Sequence, residues 1–172
     1  MLFRSVMRRV DGAWVDGVPV HDDGWEIAGC PVNGPAIAAQ GRRVAVAWFA
    51  APDNVARARV AFSTDGGATY GEPAVIDDGY PAGRVDVVML EDGAALVVWL
   101  ERTGGDAAEV RMRIVGADGQ VGESAAVSET TSTRPSGFPR IAPLSDGTFL
   151  AAWTDARETD TVVRTAAFEL AR

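Results

Sequence analysis

Three tryptophans set a period that any fold of this chain must accommodate. Trp48, Trp99 and Trp153 lie 51 and 54 residues apart, and each closes a short apolar run: 44–48, 94–99 and 149–153. Self-similarity at a fixed spacing of this size marks a repeat architecture and outranks local propensity. Each run follows a turn signal: Gln40-Gly41-Arg42, Asp92-Gly93 or Asp146-Gly147. Each turn is in turn preceded by another apolar stretch, 35–39, 85–90 or 139–144. Short alternating runs joined by such turns read as β-hairpins.

The second half of the unit repeats as well. Residues 58–63 lead into Asp65-Gly66-Gly67 and then 74–76, and residues 111–115 lead into Asp118-Gly119 and then 125–127. Residues 5–10 lead into Asp11-Gly12 and then 18–20, so Asp11, Asp65 and Asp118 are spaced by 54 and 53. A unit is therefore four short strands, and no segment shows helical periodicity. One four-stranded meander cannot bury both faces, so the units must stack, and radial stacking gives a β-propeller. A sandwich is the alternative, but it does not call for a strict sequence period. The expected fold is all-β: four-stranded antiparallel meanders forming about three blades of a partial propeller. The whole chain, 1–172, is one segment, with a half blade at 1–20, blades at 33–76 and 84–127, and an incomplete blade at 138–170.

One turn carries a more specific signal. Ser63-Thr64-Asp65-Gly66-Gly67-Ala68-Thr69-Tyr70 fits Ser-x-Asp-x-Gly-x-Thr-aromatic. An Asp at that position accepts hydrogen bonds from the amides of its own loop, and the aromatic ring folds back on the sheet. The pattern resembles the Asp box, or bacterial neuraminidase repeat, of sialidase-like β-propellers, and the chain resembles the C-terminal half of such a protein. Asp11-Gly12-Ala13-Trp14 and Gly116-Ala117-Asp118-Gly119 are worn copies. Gly137-Phe138-Pro139, Asp146-Gly147 and Asp155-Ala156-Arg157 are similar to the family's first-blade pattern. The resemblance implies a structural role for Ser63, Asp65, Gly67, Thr69 and Tyr70, on the face opposite the active site. It also implies glycan recognition and, in a full ring, exo-α-sialidase (glycoside hydrolase) chemistry, with full-length relatives secreted or periplasmic. Such chemistry needs an Arg cluster, an acid/base Asp and a Tyr–Glu nucleophile pair. At the starts of the innermost strands this chain has Asn33, Arg84 and Gly137, so only Arg84 matches the expected arginines.

Composition narrows the partners. With 24 acidic and 16 basic residues and a net charge of −8, the surface repels phosphate backbones and anionic headgroups, so neither nucleic acid nor membrane is an expected partner. All the basic residues are Arg, from which nothing functional follows. Residues 1–9 carry Arg4, Arg8 and Arg9 and do not read as a signal peptide, so the chain as written is expected in the cytoplasm. Cys30 is the lone cysteine and His21 the lone histidine, and Asp22-Asp23 and Asp77-Asp78 lack the Asp-x-Asp-x-Asp spacing of a calcium loop. Neither a metal nor another cofactor is expected, and Cys30 reads as a small buried residue.

Strand order gathers the inter-blade loops on one face. Residues 21–35, 77–84 and 129–134 belong there, with Asp53, Glu101, Arg102, Asp155 and Arg157 from shorter loops. Trp25, Asn33, Tyr80 and Arg84 are the candidate ligand-binding residues. Tyr80, Asp23 and Glu26 are the candidate catalytic ones, with Glu101 a second partner for Tyr80. Arg84 is also placed to pair with Asp86. Two readings stay open: a carbohydrate-directed module for a glycan or other small polar ligand, or a non-catalytic scaffold or partial propeller without autonomous activity. Three blades do not close a ring, so the chain is expected either to form a homodimer closing a six-bladed ring, residues 14–20 of one copy completing the last blade of the other, or to be part of a longer protein.

Overall fold

The computed structural model describes residues 4–27, 32–156 and 160–170, and the Cys30 and Arg157 readings fall outside them. The alternating, Val-rich runs form strands because the pleat sends successive side chains to opposite faces. A hairpin comes first, β1 (Arg4–Val10) and β2 (Ala13–His21). A four-stranded meander follows, in the order β3 (Ala36–Gln40), β4 (Arg43–Ala50), β5 (Arg57–Ser63) and β6 (Ala74–Val75). The second has β7 (Pro81–Met89), β8 (Ala95–Gly104), β9 (Ala107–Val115) and β10 (Ala125–Thr131). A three-stranded sheet of β11 (Gly137–Pro143), β12 (Phe149–Asp155) and β13 (Val162–Phe168) ends the series. All pairings are antiparallel. Among the described residues the helical content is one 3₁₀ turn, Pro52–Asn54. The chain is a partial β-propeller.

Packing between sheets is directional. Each blade turns its tryptophan back toward the preceding layer and smaller side chains forward toward the next. Trp48 with Val44 and Val46 meets Val20 and Val6 of the hairpin. Ala45, Ala47, Ala58 and Val60 of the same blade receive Trp99 from the second blade. Ala82, Leu100, Ala108 and Val110 of the second blade then receive Trp153 from the third. Trp48 and Trp99 are completely buried. Removing 150–250 Å² of largely apolar ring from water contributes about 5 kcal/mol per indole, so these contacts dominate the stacking.

An arginine lies directly across from each of these tryptophans: Trp48 opposite Arg59, Trp99 opposite Arg111 and Trp153 opposite Arg164. Directly opposed residues share a face, so each indole is flanked by an aliphatic stem carrying a guanidinium. Asp78 ties the second blade's pair to the incoming connection, lying 2.8 Å from Arg111 Nε and bonded to Arg113.

Several boundaries depart from the sequence reading. β7 begins at Pro81 rather than at Val85, because a bulge lets 81–84 stay paired with Leu100 and Glu101. Glu101 and Arg102 belong to β8, Asp155 to β12, and Glu129 and Thr130 to β10, all expected in loops.

Candidate functional site

The first residues of the innermost strands converge, and their local backbone explains how. Gly83 and Arg84 both take positive φ, 83° and 57°, as do Gly137 and Phe138, 80° and 55°. The two pairs lie at equivalent bulges, one per blade. Glycine is required there by space as well as by φ. A Cβ on Gly83 would lie 2.7 Å from Asn33 Cγ, and one on Gly137 would lie 2.8 Å from Leu100 Cδ2 and 3.1 Å from Arg84 Nη1. Over each glycine passes a side chain from the preceding blade. Asn33 Nδ2 donates to the Ala82 carbonyl at 3.1 Å, and Arg84 Nη1 donates to the Ser136 carbonyl. The same clasp therefore joins the first blade to the second and the second to the third. Ser136 is itself held, its hydroxyl accepting from Thr131 Oγ1 at 2.6 Å and from the Ala156 amide at 3.0 Å.

A pocket of about 130 Å³ opens beside these clasps, walled by Gly34, Pro35, Arg84, Val85, Phe138 and Arg140. Arg84 is only 8% exposed, and its guanidinium carbon lies 4.6 Å from the Phe138 ring centroid. Burial pulls its pKa below the ordinary arginine value, and repulsion from Arg102 adds to the shift. Arg84 Nε and Asn33 Oδ1 are buried without a hydrogen-bond partner among the described residues. An unsatisfied buried donor or acceptor costs roughly 1–3 kcal/mol, which a bound polar group would recover.

The other predicted residues sit around this centre in different ways. Trp25 is half-buried, edge-on to Phe49 at 5.8 Å, and Phe49 also flanks Gly83. Tyr80 is 74% exposed. Its main-chain N–H, not its hydroxyl, reaches Glu101 Oε1 at 2.6 Å, while Glu101 Oε2 accepts from the Trp99 indole at 2.7 Å. The Glu101 carboxylate is thus occupied in joining a strand end to a loop, and no Tyr80–Glu101 nucleophile pair forms. Asp23 has a comparable role, accepting from the Trp48 indole and the Trp25 amide, both at 3.2 Å. Glu26 is exposed. Arg84 does not pair with Asp86, because the bulge redirects it to Ser136. Asp86 takes the Ile141 amide at 3.0 Å and lies 3.4 Å from Arg140. Asp77 accepts from the Ala58 and Gly79 amides, and Asp78 is held by arginines, so neither is arranged as a cation ligand. Among the described residues no three His, Cys, Asp or Glu side chains gather to hold a metal.

The Ser63–Tyr70 turn lies at the opposite end of the blades. Gly66 N–H donates to the Arg42 carbonyl of the β3–β4 turn, and the loop shares a cleft with Asp118. Asp65 Oδ1 accepts from the Ala68 and Thr69 amides and from Ser63 Oγ, and Oδ2 accepts from Thr69 Oγ1 at 2.7 Å. The Thr69 bonds, then those from Ser63 and Ala68, hold the Asp65 carboxyl far below the usual carboxylate range. Tyr70 packs onto the cluster around Trp48, and burial followed by the Asp65 charge raises its phenol pKa. Asp65→Ala is expected to lower the thermal midpoint by about 5 °C at neutral pH. Because the folded pKa is depressed, the carboxylate's contribution is complete above pH ~4 and is lost as pH falls below that value. Mutant and parent melting curves should therefore converge in acid. Parallel curves down to pH 2 would contradict this.

The fold matches solved structures of carbohydrate-active enzymes, at low identity. A Hadza microbial sialidase aligns with a TM-score of 0.58 and 16% identity over 94% of this chain and 37% of its own. An endo-arabinase from Bacteroides thetaiotaomicron aligns with a TM-score of 0.62 and 14% identity, over 90% of this chain and 62% of its own. A thermostable family-43 glycoside hydrolase aligns with a TM-score of 0.53 and 10% identity, over 79% of this chain and 50% of its own. The chain thus spans between about a third and just under two thirds of those proteins. No protein-family model and no curated protein sequence matches the chain. What is shared is the propeller fold of glycoside hydrolases.

Proposed function

We propose that the chain is a carbohydrate-binding propeller module that takes a sugar acid at the pocket between the innermost strands. The observation that carries this reading is Arg84, a buried cation that lines the pocket and whose Nε has no hydrogen-bond partner among the described residues. An unpartnered N–H on a guanidinium suits a ligand bearing a carboxylate. The pocket volume of about 130 Å³ fits the charged end of one residue rather than an oligosaccharide. Exposed Tyr80 and half-buried Trp25 supply apolar surface on the same end of the blades for a ring to rest on. The Ser63–Tyr70 turn, read as an Asp box, supports a sialidase-like ancestry of the scaffold. Binding without turnover is the expected behaviour of the isolated chain, because Glu101 is committed to two N–H groups and Tyr80 has no basic partner for its hydroxyl among the described residues.

Calorimetric titration with N-acetylneuraminic acid, and with arabinose as the uncharged control, tests the reading. The acid should bind and arabinose should not. Arg84→Gln should weaken binding by roughly 1.5–3 kcal/mol, the share of a charge-assisted hydrogen bond. Since Arg84 also clasps Ser136, Arg140→Gln at the exposed rim provides a second variant, expected to weaken binding less while leaving the clasp intact. Equal affinity in parent and both variants would remove the pocket from consideration. The clasps themselves support a second reading, a scaffold in which Asn33 and Arg84 serve only to join blades. A folded chain with no heat of binding for either sugar is that reading's result.

A further inference from the structure

The pocket beside Arg84 has a chemical character beyond its charge. Among the described residues that wall it, only Arg84 and Arg140 have polar side chains. Val32, Pro35, Val85, Phe138 and Pro139 present carbon, and Gly34 has no side chain to add. A hydroxyl group pressed against such a wall gives up water and finds no carboxylate, amide or hydroxyl side chain in its place, which is a net cost. A C–H group there covers apolar surface instead, which is a net gain.

Phe138 is the largest of these carbon side chains. Its ring is 39% exposed, and its centroid lies 4.6 Å from the Arg84 guanidinium carbon. The backbone beneath it is held at a φ of 55°, a conformation that bulky L-residues rarely adopt. Five non-glycine residues among those described have positive φ. Three of them, Asp11, Asp53 and Asn54, are exposed residues of the types that tolerate it. The other two are Arg84 and Phe138, and both wall this pocket. Packing does not account for the strain at Phe138, because its ring belongs to none of the buried clusters. Strain of this kind concentrates where a side chain must meet a ligand.

We propose that Phe138 is the specificity-determining residue of this pocket, selecting acids whose carboxylate sits on a ring carbon flanked by C–H surface. This role rests on the carboxylate reading of the pocket. A carboxylate taken by the unpartnered Arg84 Nε brings the atoms next to it against the Phe138 ring, since guanidinium and ring are already in contact. Carbon at that place buries the ring face. A hydroxyl there is stripped of water without a side chain to bond it, and a small acyclic acid leaves the ring wet. Selection thus acts against the competitors as well as for the favoured ligand.

NMR titration of the full chain with cyclohexanecarboxylate, acetate and glucuronate reads the preference directly. Cyclohexanecarboxylate should bind roughly tenfold more tightly than acetate, the effect of covering about two methylene groups. It should also bind more tightly than glucuronate, in which a hydroxyl-bearing carbon adjoins the one that carries the carboxylate. Phe138→Gly deletes the ring and relaxes the backbone, and should bring the ratio over acetate close to unity. Phe138→Leu keeps a smaller carbon side chain and should narrow the ratio less. The thermal midpoint of Phe138→Gly should stay close to the parent's, because the lost ring is partly exposed and the strain goes with it. A ring that served only to cover Arg84 would shift the affinity of every acid alike and leave the ratio unchanged. A parent with no preference for the ring acid, a preference for glucuronate, or a ratio that survives both substitutions would overturn the role of Phe138 and leave the carboxylate reading standing. A parent that binds none of the three acids would overturn both.

Discussion

Gly137→Ala is expected to destabilise the protein by about 2–4 kcal/mol, although only a methyl group is added. Two costs combine. A residue with a Cβ held at a φ of 80° loses roughly 1–2 kcal/mol against the normal backbone basins. The new methyl would also press on Leu100 Cδ2 at 2.8 Å and on the Arg84 guanidinium at 3.1 Å, and overpacking of that kind costs about 1–3 kcal/mol. Urea denaturation of the parent, Gly137→Ala, Arg84→Ala and the double variant completes a cycle. With Arg84 truncated, part of the crowding disappears, so the double variant should be more stable than the sum of the singles implies. Additive losses would show that Arg84 does not pass over Gly137 in solution.

Trp99→Ala should cost more, about 3–5 kcal/mol, the usual range for emptying a fully buried aromatic site. Its ring fills the hollow formed by Ala45, Ala47, Ala58 and Val60, so the interface between the first and second blades loses its largest contact. Its indole N–H also satisfies Glu101 Oε2, and truncation leaves that carboxylate oxygen short of a donor. Trp99→Phe should recover most of the packing and none of the hydrogen bond. If Trp99→Ala and Trp99→Phe melt alike, packing is not what the indole contributes.

The fold was legible because its signals are local or periodic. Val and Ala alternation over five to nine residues, Asp-Gly turns, and tryptophans spaced by 51 and 54 each act within one strand, one turn or one unit. The Asp65 turn was legible for the same reason, since its donors and acceptors all lie within Ser63 to Thr69. The candidate site was much less so. Arg84 finds its acceptor 52 residues away, and nothing in Gly-Arg-Val-Asp announces two consecutive left-handed residues. Tyr80-Pro81 reads locally as a turn, yet pairing with Glu101 continues the strand through Pro81. The carboxylates proposed for catalysis illustrate the same limit. Asp23 and Glu101 look free in sequence, but each captures a tryptophan indole that a list of residue types does not place beside it. One regularity of the site's surroundings is visible in the sequence: an arginine follows each period-marking tryptophan by 11 or 12 residues, at Arg59, Arg111 and Arg164. Those intervals are the length of a strand, a turn and half the return, which would have predicted the cross-strand pairs.

The clasps between blades also have an order in time. In both, the reaching side chain belongs to the earlier blade and the accepting carbonyl to the later one: Asn33 before Ala82, and Arg84 before Ser136. A chain leaving the ribosome at about 5–20 residues per second exposes each donor several seconds ahead of its acceptor. That interval far exceeds the microseconds a hairpin needs to form. Each blade therefore has time to settle with its clasp already extended before the glycine-led strand that it will hold emerges, so assembly proceeds by capture from the finished side.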